Sequence, residues 1–145
     1  MRQRGRPSFV SHVGGATAVE FALVILPFLF MLFGCIEIAR LMWTRNALQQ
    51  LSVKGARCMA LNSSSCAVTG AFNATSTLTY IEGAAAAVGI SLADGNITLN
   101  NAATCAGISG VSQVTIRYAF PTAVPLVTSF VGQSIDVTAC YPNQS

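Results

Sequence analysis

Few residues of this 145-residue chain have the types and spacings that catalysis requires. The only histidine is His12, so the rest of the chain has no imidazole for general acid–base chemistry. The nucleophile motif G-x-S-x-G, the zinc motif H-E-x-x-H and the glycine-rich phosphate loop do not occur. We therefore expect a protein that is not an enzyme, holds no metal or other cofactor and has no small-molecule substrate.

Disulfide formation is the chemistry that the sequence does indicate. Four of the five cysteines, Cys58, Cys66, Cys105 and Cys140, follow the longest apolar segment, and Cys35 lies inside it. An even set on the side that we expect to be exported indicates disulfides, and a metal site is less favoured because no C-x-x-C spacing occurs. Four cysteines allow three pairings. We favour Cys58–Cys66, which are close in the chain, and Cys105–Cys140, which share a predicted sheet, and expect Cys35 to stay free.

A single carboxylate, Glu20, stands directly before an apolar run of sixteen residues, 21–36. A spanning helix needs about 20 residues, and extending the run at both ends brings in Glu20 and Glu37. At 1.5 Å per residue these carboxylates would lie about 25 Å apart, each near a membrane interface where a charge costs less. Arg40 can pair with Glu37 at i+3, and Pro27 is expected to give a tolerated kink.

Composition and charge favour a membrane-anchored chain. Hydrophobic residues make up 52% of the sequence and charged residues 9%, whereas ordinary soluble proteins carry about 25% charged residues. Three of the eight basic residues, Arg2, Arg4 and Arg6, precede the apolar run, which the positive-inside rule places in the cytoplasm. Beyond Arg57 only Arg117 is basic, so we expect no nucleic-acid binding.

The segment before and within the apolar run carries a more specific pattern. Gly15 is followed by Ala16, Glu20 is the fifth residue counted from Ala16, and an apolar helix begins at Phe21. Four further positions complete the pattern: Pro27, Gly34, Glu37 and Arg40. Together these residues resemble the N-terminal segment of the TadE-like pseudopilins, the minor pilin-like proteins of the Tad/Flp tight-adherence pilus. The resemblance covers about 30 residues, and the rest of the chain is similar only in style.

The resemblance implies a function in pilus assembly and adhesion. A prepilin peptidase would cut after Gly15 in the cytoplasm, and Glu20 would meet the amine of a neighbouring subunit that begins at Ala16. The alternative for Glu20 is that it reaches the headgroup level without a partner. The chain would span the bacterial inner membrane once, with a periplasmic head. Its partners would be that membrane, the peptidase, other Tad pilins and pseudopilins, and the assembly machinery, whether or not it enters the fibre.

Two other interpretations stay open. The chain could be an uncleaved single-span anchor whose periplasmic head recruits another envelope component. It could also be a lipoprotein, because residues 32–35 loosely resemble a lipoprotein box with Cys35 as the modified residue. Phe33 is bulky for that motif, and the lipoprotein interpretation gives no role to Glu20.

The expected fold is α+β, with a cytoplasmic leader (1–15), a transmembrane and stalk helix (16–59) and a disulfide-containing periplasmic head (60–145). In the stalk, Leu41, Leu48 and Gly55 recur every seven residues, so this face should pack on neighbouring pilin-like helices, on the chain's own head, or on both.

The head should contain one helix packed on a short antiparallel sheet of about three strands. The helix is predicted to begin at a Thr75 or Ser76 cap and to run to about Val88 along an apolar face. Strict period-two patterns predict strands at 96–100, 113–120 and 134–141. Residues 121–132 are predicted to cover the sheet as an apolar loop or short helix, or to form a patch for a partner.

Overall fold

The computed structural model describes residues 14–122 and 134–144. The described elements are, in chain order, α1 (Gly14–Ala60), β1 (Ala67–Val68), β2 (Ala71–Phe72), α2 (Ala74–Ala87), β3 (Ile97–Cys105), β4 (Ile108–Ala119) and β5 (Ser134–Pro142). A 3₁₀ turn, Asp94–Asn96, precedes β3. The predicted α+β class and the three-stranded antiparallel sheet are confirmed. Most of the predicted leader and most of the predicted cover at 121–132 lie outside the described residues.

The chain divides into two compact units, Met1–Ile36 and Glu37–Ser145. The described part of the first unit is the N-terminal half of α1, in which nearly every side chain is exposed. Pro27 lies inside this helix and does not end it. The segment Thr17–Ala60 is long and apolar enough to cross a membrane.

The second unit begins with a regular stripe of buried residues along α1. The buried positions recur at alternating intervals of four and three residues: Glu37, Leu41, Thr44, Leu48, Leu51, Gly55 and Cys58. This spacing keeps one face of a helix turned towards a single packing surface. The predicted stripe of Leu41, Leu48 and Gly55 therefore packs within the chain's own head.

Gly55 marks the tightest packing on this stripe. A Cβ atom at Gly55 would lie 2.6 Å from Ile81 Cδ1 and 3.4 Å from Val114 Cγ2. Ile81 belongs to α2 and Val114 to β4, and both are completely buried. The missing side chain thus lets α1 approach the second helix and the sheet together.

The second helix differs from its prediction at its N-terminal end and in the burial of Val88. Asn73 is its N-cap, and the Asn73 side chain accepts a hydrogen bond from the Ser76 amide at 2.9 Å, so the predicted cap at Thr75 or Ser76 is wrong. Val88 is 40% exposed and does not continue the buried face. The helix stops as expected before Gly89, which has a φ of +74° that favours glycine.

The sheet has the order β3–β4–β5, and both pairs are antiparallel. Val114 in the central strand lies opposite Leu99 and Ala139, so the predicted alternation does place apolar side chains on one face. β3 and β4 are longer than predicted because they continue through residues 101–112 to a tight turn at Ala106 and Gly107. Both turn residues have positive φ, as two-residue hairpins favour. That extension is rich in Ala, Ser, Gly and Thr, so it lacks the apolar alternation that signals a strand.

Candidate functional site

The residues predicted for processing and docking lie at the beginning of α1. The helix starts at Gly14, so the bond between Gly15 and Ala16 lies in its first turn. A Cβ atom at Gly15 would have no neighbour within 4 Å. Glycine costs a helix about 1 kcal/mol relative to alanine. Among the described residues, the space around Gly15 would therefore accept a larger side chain.

Glu20 is exposed on the same helix, among large apolar side chains that are also exposed. Val19 is 60% exposed and Phe21 67% exposed. The ion pairs among the described residues join other groups, and none includes Glu20. The Glu20 carboxylate is therefore accessible to a positively charged group on another molecule.

Pro27 and Gly34 lie further along the same exposed segment. A Cβ atom at Gly34 would meet nothing within 4 Å, so this glycine leaves an open notch in the helix surface. Close to it lies a shallow apolar depression of about 370 Å³, lined by Phe28, Met31, Leu32, Cys35 and Ile36. Small residues let helices approach closely in a membrane, so this side of α1 can accept lipid or another helix.

Glu37 and Arg40, the two charged members of the pattern, are brought together within the second unit. Arg40 Nη1 lies 3.2 Å from Glu37 Oε2, as the i+3 spacing predicted. Glu37 is only 3% exposed, whereas the Arg40 side chain is half exposed. The Arg40 guanidinium also lies 5.7 Å from the centre of the Phe120 ring, at the end of β4. The ion pair lies within α1, and Arg40 attaches this helix to the end of the sheet through the cation–π contact with Phe120.

Both favoured disulfide pairings are present. Cys58 and Cys66 join the last turn of α1 to the segment before β1, and Cys105 and Cys140 join the two outer strands of the sheet. Cys35 is the free cysteine, and it is exposed. Among the described residues, no group of three or more His, Cys, Asp or Glu side chains is placed to hold a metal ion.

The head also contains charged groups whose arrangement the sequence analysis did not foresee. A hydrogen bond with the Asp94 carboxyl raises the pKa of Glu82, with smaller contributions from partial burial and from the charge of Asp94. Lys54 and Arg57 line one groove on the other side of α2. Glu82 and Asp94 are twelve positions apart, and only the chain reversal after α2 brings them together.

The comparison with known protein families gives a match in the first helix. Residues 15–57 match the model of the TadE-like protein family. The matched segment contains every residue on which the resemblance rested, from Gly15 to Arg40. The chain matches no curated protein and no solved structure. The match over residues 15–57 is consistent with a TadE-like protein.

Proposed function

We propose that this protein is a non-enzymatic minor pilin-like subunit, a pseudopilin, that takes part in assembling a Tad-type pilus for adhesion. The observation that carries the proposal is the first half of α1. It matches the TadE-like family, presents its apolar side chains outwards and carries one exposed carboxylate, Glu20, near its start. An exposed apolar helix is stable when lipid or other helices cover it, which is the environment of a pilin-like subunit.

In this function the chain is first processed by a prepilin peptidase. Cleavage between Gly15 and Ala16 gives a new amino terminus, which is positively charged below a pKa of about 8. The peptidase needs the chain in an extended form, and the first turn of a helix opens most easily because its amides lack helical partners. Gly15 has no side chain to exclude from a narrow cleft, and no contact within the described chain opposes its release.

Glu20 then supplies the recognition between subunits. A lone carboxylate inside the hydrocarbon of a bilayer costs about 3 kcal/mol, and less near the interface. The amine of a neighbouring subunit lowers that cost, because the two opposite charges are then desolvated as a pair. Such a pair fixes the axial register of two helices whose other contacts are apolar and tolerate sliding.

The remaining parts of the chain fit an exported head on a single inner-membrane span. The basic residues before Gly15 favour a cytoplasmic amino end. Two disulfides tie the head, and disulfides persist in oxidising compartments such as the periplasm. The subunit would meet the prepilin peptidase, other Tad pilins and pseudopilins, and the assembly machinery in that membrane.

Intact mass and N-terminal sequencing of the protein from its host membranes test this function. We expect a mature chain that begins at Ala16, and Gly15→Leu should leave the full-length chain because a bulky side chain blocks the peptidase. Gly34→Leu is the matched control, since it places the same change in the same helix away from the cleaved bond, and its processing should be normal. A chain that retains Met1 would instead support the uncleaved anchor, and a lipid-modified start at Cys35 would support the lipoprotein.

A further inference from the structure

A groove of about 460 Å³ lies between the last turns of α1 and one flank of α2. Lys54 and Arg57 of α1 and Tyr80 of α2 line it, together with the hydroxyl-bearing Ser63 and Ser65 and the apolar Leu61 and Ala84. Both cations are exposed. We call this feature the basic groove.

The basic groove contains cations without acids. The ion pairs among the described residues join Arg40 to Glu37 and Arg117 to Asp136, so neither Lys54 nor Arg57 is paired there. These two cations are three residues apart on a helix and therefore share one face, where they repel each other weakly. An anionic group in the groove would relieve that repulsion and could accept hydrogen bonds from the Tyr80 and Ser65 hydroxyls, whereas the Ser63 hydroxyl already donates to the Cys58 carbonyl.

The opposite arrangement occurs on the other flank of α2. Glu82 is two residues from Tyr80 and two from Ala84, so it lies about 200° around the helix from the groove-lining face. Its carboxyl is next to that of Asp94, and no ion pair in the described chain supplies either with a cation. We call these two residues the acidic pair. The pKa of Glu82 is raised chiefly by the hydrogen bond with the Asp94 carboxyl, and less by burial and by the charge of Asp94.

We infer that the basic groove of one molecule receives the acidic pair of a second copy of the same chain. Two cations on one flank of α2 and two carboxylates on the other match in number and in sign. The two sets cannot meet within one molecule because the helix stands between them. A contact between two different surfaces repeats from copy to copy and so produces an open row or a closed ring of copies, and not a two-fold symmetric dimer.

The chemistry of the contact sets its strength. Exposed ion pairs contribute little to affinity, but they fix orientation and make association sensitive to salt. Confinement of the copies in one membrane raises their effective concentration, so a weak contact is sufficient. The inference adds a contact between subunits to the proposed function. It rests on that function because the function places all copies in one membrane.

The test uses the uncleaved full-length chain in nanodiscs of neutral phosphatidylcholine. Chains labelled with ¹⁴N and ¹⁵N are mixed and treated with a water-soluble carbodiimide, which takes up the water lost when a Lys Nζ and a carboxyl form an amide. We expect mixed-isotope links between Lys54 and Glu82 or Asp94. These links should decrease at least about tenfold when the salt concentration is raised from 50 mM to 500 mM, because exposed charges are screened.

Charge reversal supplies the second arm. Lys54→Glu is combined with Arg57→Glu in one variant, and Glu82→Lys with Asp94→Lys in another. Neither variant alone can form these links, because the first has no lysine and the second has no carboxyl at positions 82 and 94. The diagnostic result is the mixture of the two. It should form mixed-isotope links between Lys54 of the second variant and Glu82 or Asp94 of the first, and between the new lysines and the new glutamates. Recovery also shows that both variants are folded. Arg45→Glu, which reverses an exposed cation of the same helix outside the groove, is the matched control and should leave the links unchanged.

Three outcomes would overturn the inference. The first is that all links join chains of the same isotope. The second is that folded reversal variants fail to recover links when they are mixed. The third is that links form only when the nanodisc contains phosphatidylglycerol, which would mean that lipid occupies the groove. Because the chain is uncleaved throughout, failure here leaves the cleavage prediction at Gly15 intact, and failure of that prediction leaves this contact intact.

Discussion

The two halves of α1 differ in what their side chains contact. In residues 14–36 large apolar groups are exposed, whereas from Glu37 onwards one side chain in every three or four is buried against the head. The two glutamates of the helix follow the same division. Glu20 is exposed, and Glu37 is 3% exposed beside Arg40. One helix therefore carries an exposed apolar segment and a segment that is packed against the head, and the TadE-like match covers both.

If this comparison is right, Glu20→Leu should affect assembly and leave the head intact. In lipid, the ion pair between Glu20 and a neighbour's amine contributes about 3 kcal/mol. Its removal should therefore lower the association constant of the subunits about 100-fold. Surface pili counted by electron microscopy should decrease accordingly, while processing and thermal unfolding of the head stay unchanged. Val19→Leu, at the neighbouring exposed position, is the control and should assemble normally. Normal pili in the Glu20→Leu strain would show that the carboxylate has no partner.

Arg40→Met should have the reverse effect, because Glu37 then loses its cation while it remains buried. Removing one member of a fully buried pair costs about 3–5 kcal/mol, and since Arg40 is half exposed we expect about 2 kcal/mol. The substitution also removes the contact with the Phe120 ring. Thermal or denaturant unfolding of the full chain in detergent measures the change. Arg45→Met, at an exposed arginine without an ion pair among the described residues, should cost much less, and equal losses would contradict the assigned role of Arg40.

A pair of glycine substitutions sharpens the comparison further. At Gly55 a methyl group must displace Ile81, and overpacking costs about 1–3 kcal/mol, of which about 1 kcal/mol is offset by the better helix propensity of alanine. Gly55→Ala should therefore destabilise the head by about 1 kcal/mol. Gly34→Ala meets no neighbour and should not destabilise the fold. The free energy of unfolding distinguishes the two, and a stabilised Gly55→Ala would show that Ile81 moves aside freely.

The sequence predicted well where a local pattern determines the structure. The seven-residue spacing of Leu41, Leu48 and Gly55 indicated the buried face of α1, and period-two alternation indicated strands around Val114 and Ala139. It failed where the pattern is weak. The hairpin of β1 and β2 has two-residue strands, which are too short to show a period-two pattern, and it turns at Thr69 and Gly70, both with positive φ.

The choice among neighbouring polar residues for the helix cap, and contacts between residues distant in sequence, were the other sources of error. Asn73 displaced the predicted cap because its side chain reaches the Ser76 amide, a geometry that several polar residues in this stretch could have supplied. The contact of Arg40 with Phe120 and the approach of Glu82 to Asp94 join residues whose separation in sequence gives no local signal. In the candidate site, the Gly15 and Glu20 pattern was readable because it is linear.

The smallest expected effect concerns the titration of Glu82. Its folded pKa is raised above the ordinary value of 4.5, chiefly by the hydrogen bond with Asp94, so the folded chain binds this proton more tightly than the unfolded chain. Stability from this group is complete below pH 4.5 and is lost as the pH rises through the folded pKa. Glu82→Gln should therefore unfold at a slightly higher temperature than the native chain at pH 7 and at the same temperature at pH 4. The difference between the two melting curves isolates Glu82 from the other carboxylates. Asp136→Asn is the control, because it removes an acid that is paired with Arg117, and it should not raise the melting temperature at pH 7. If the effect of Glu82→Gln on the melting temperature were the same at both pH values, the hydrogen bond between the Glu82 and Asp94 carboxyls would be excluded as the cause.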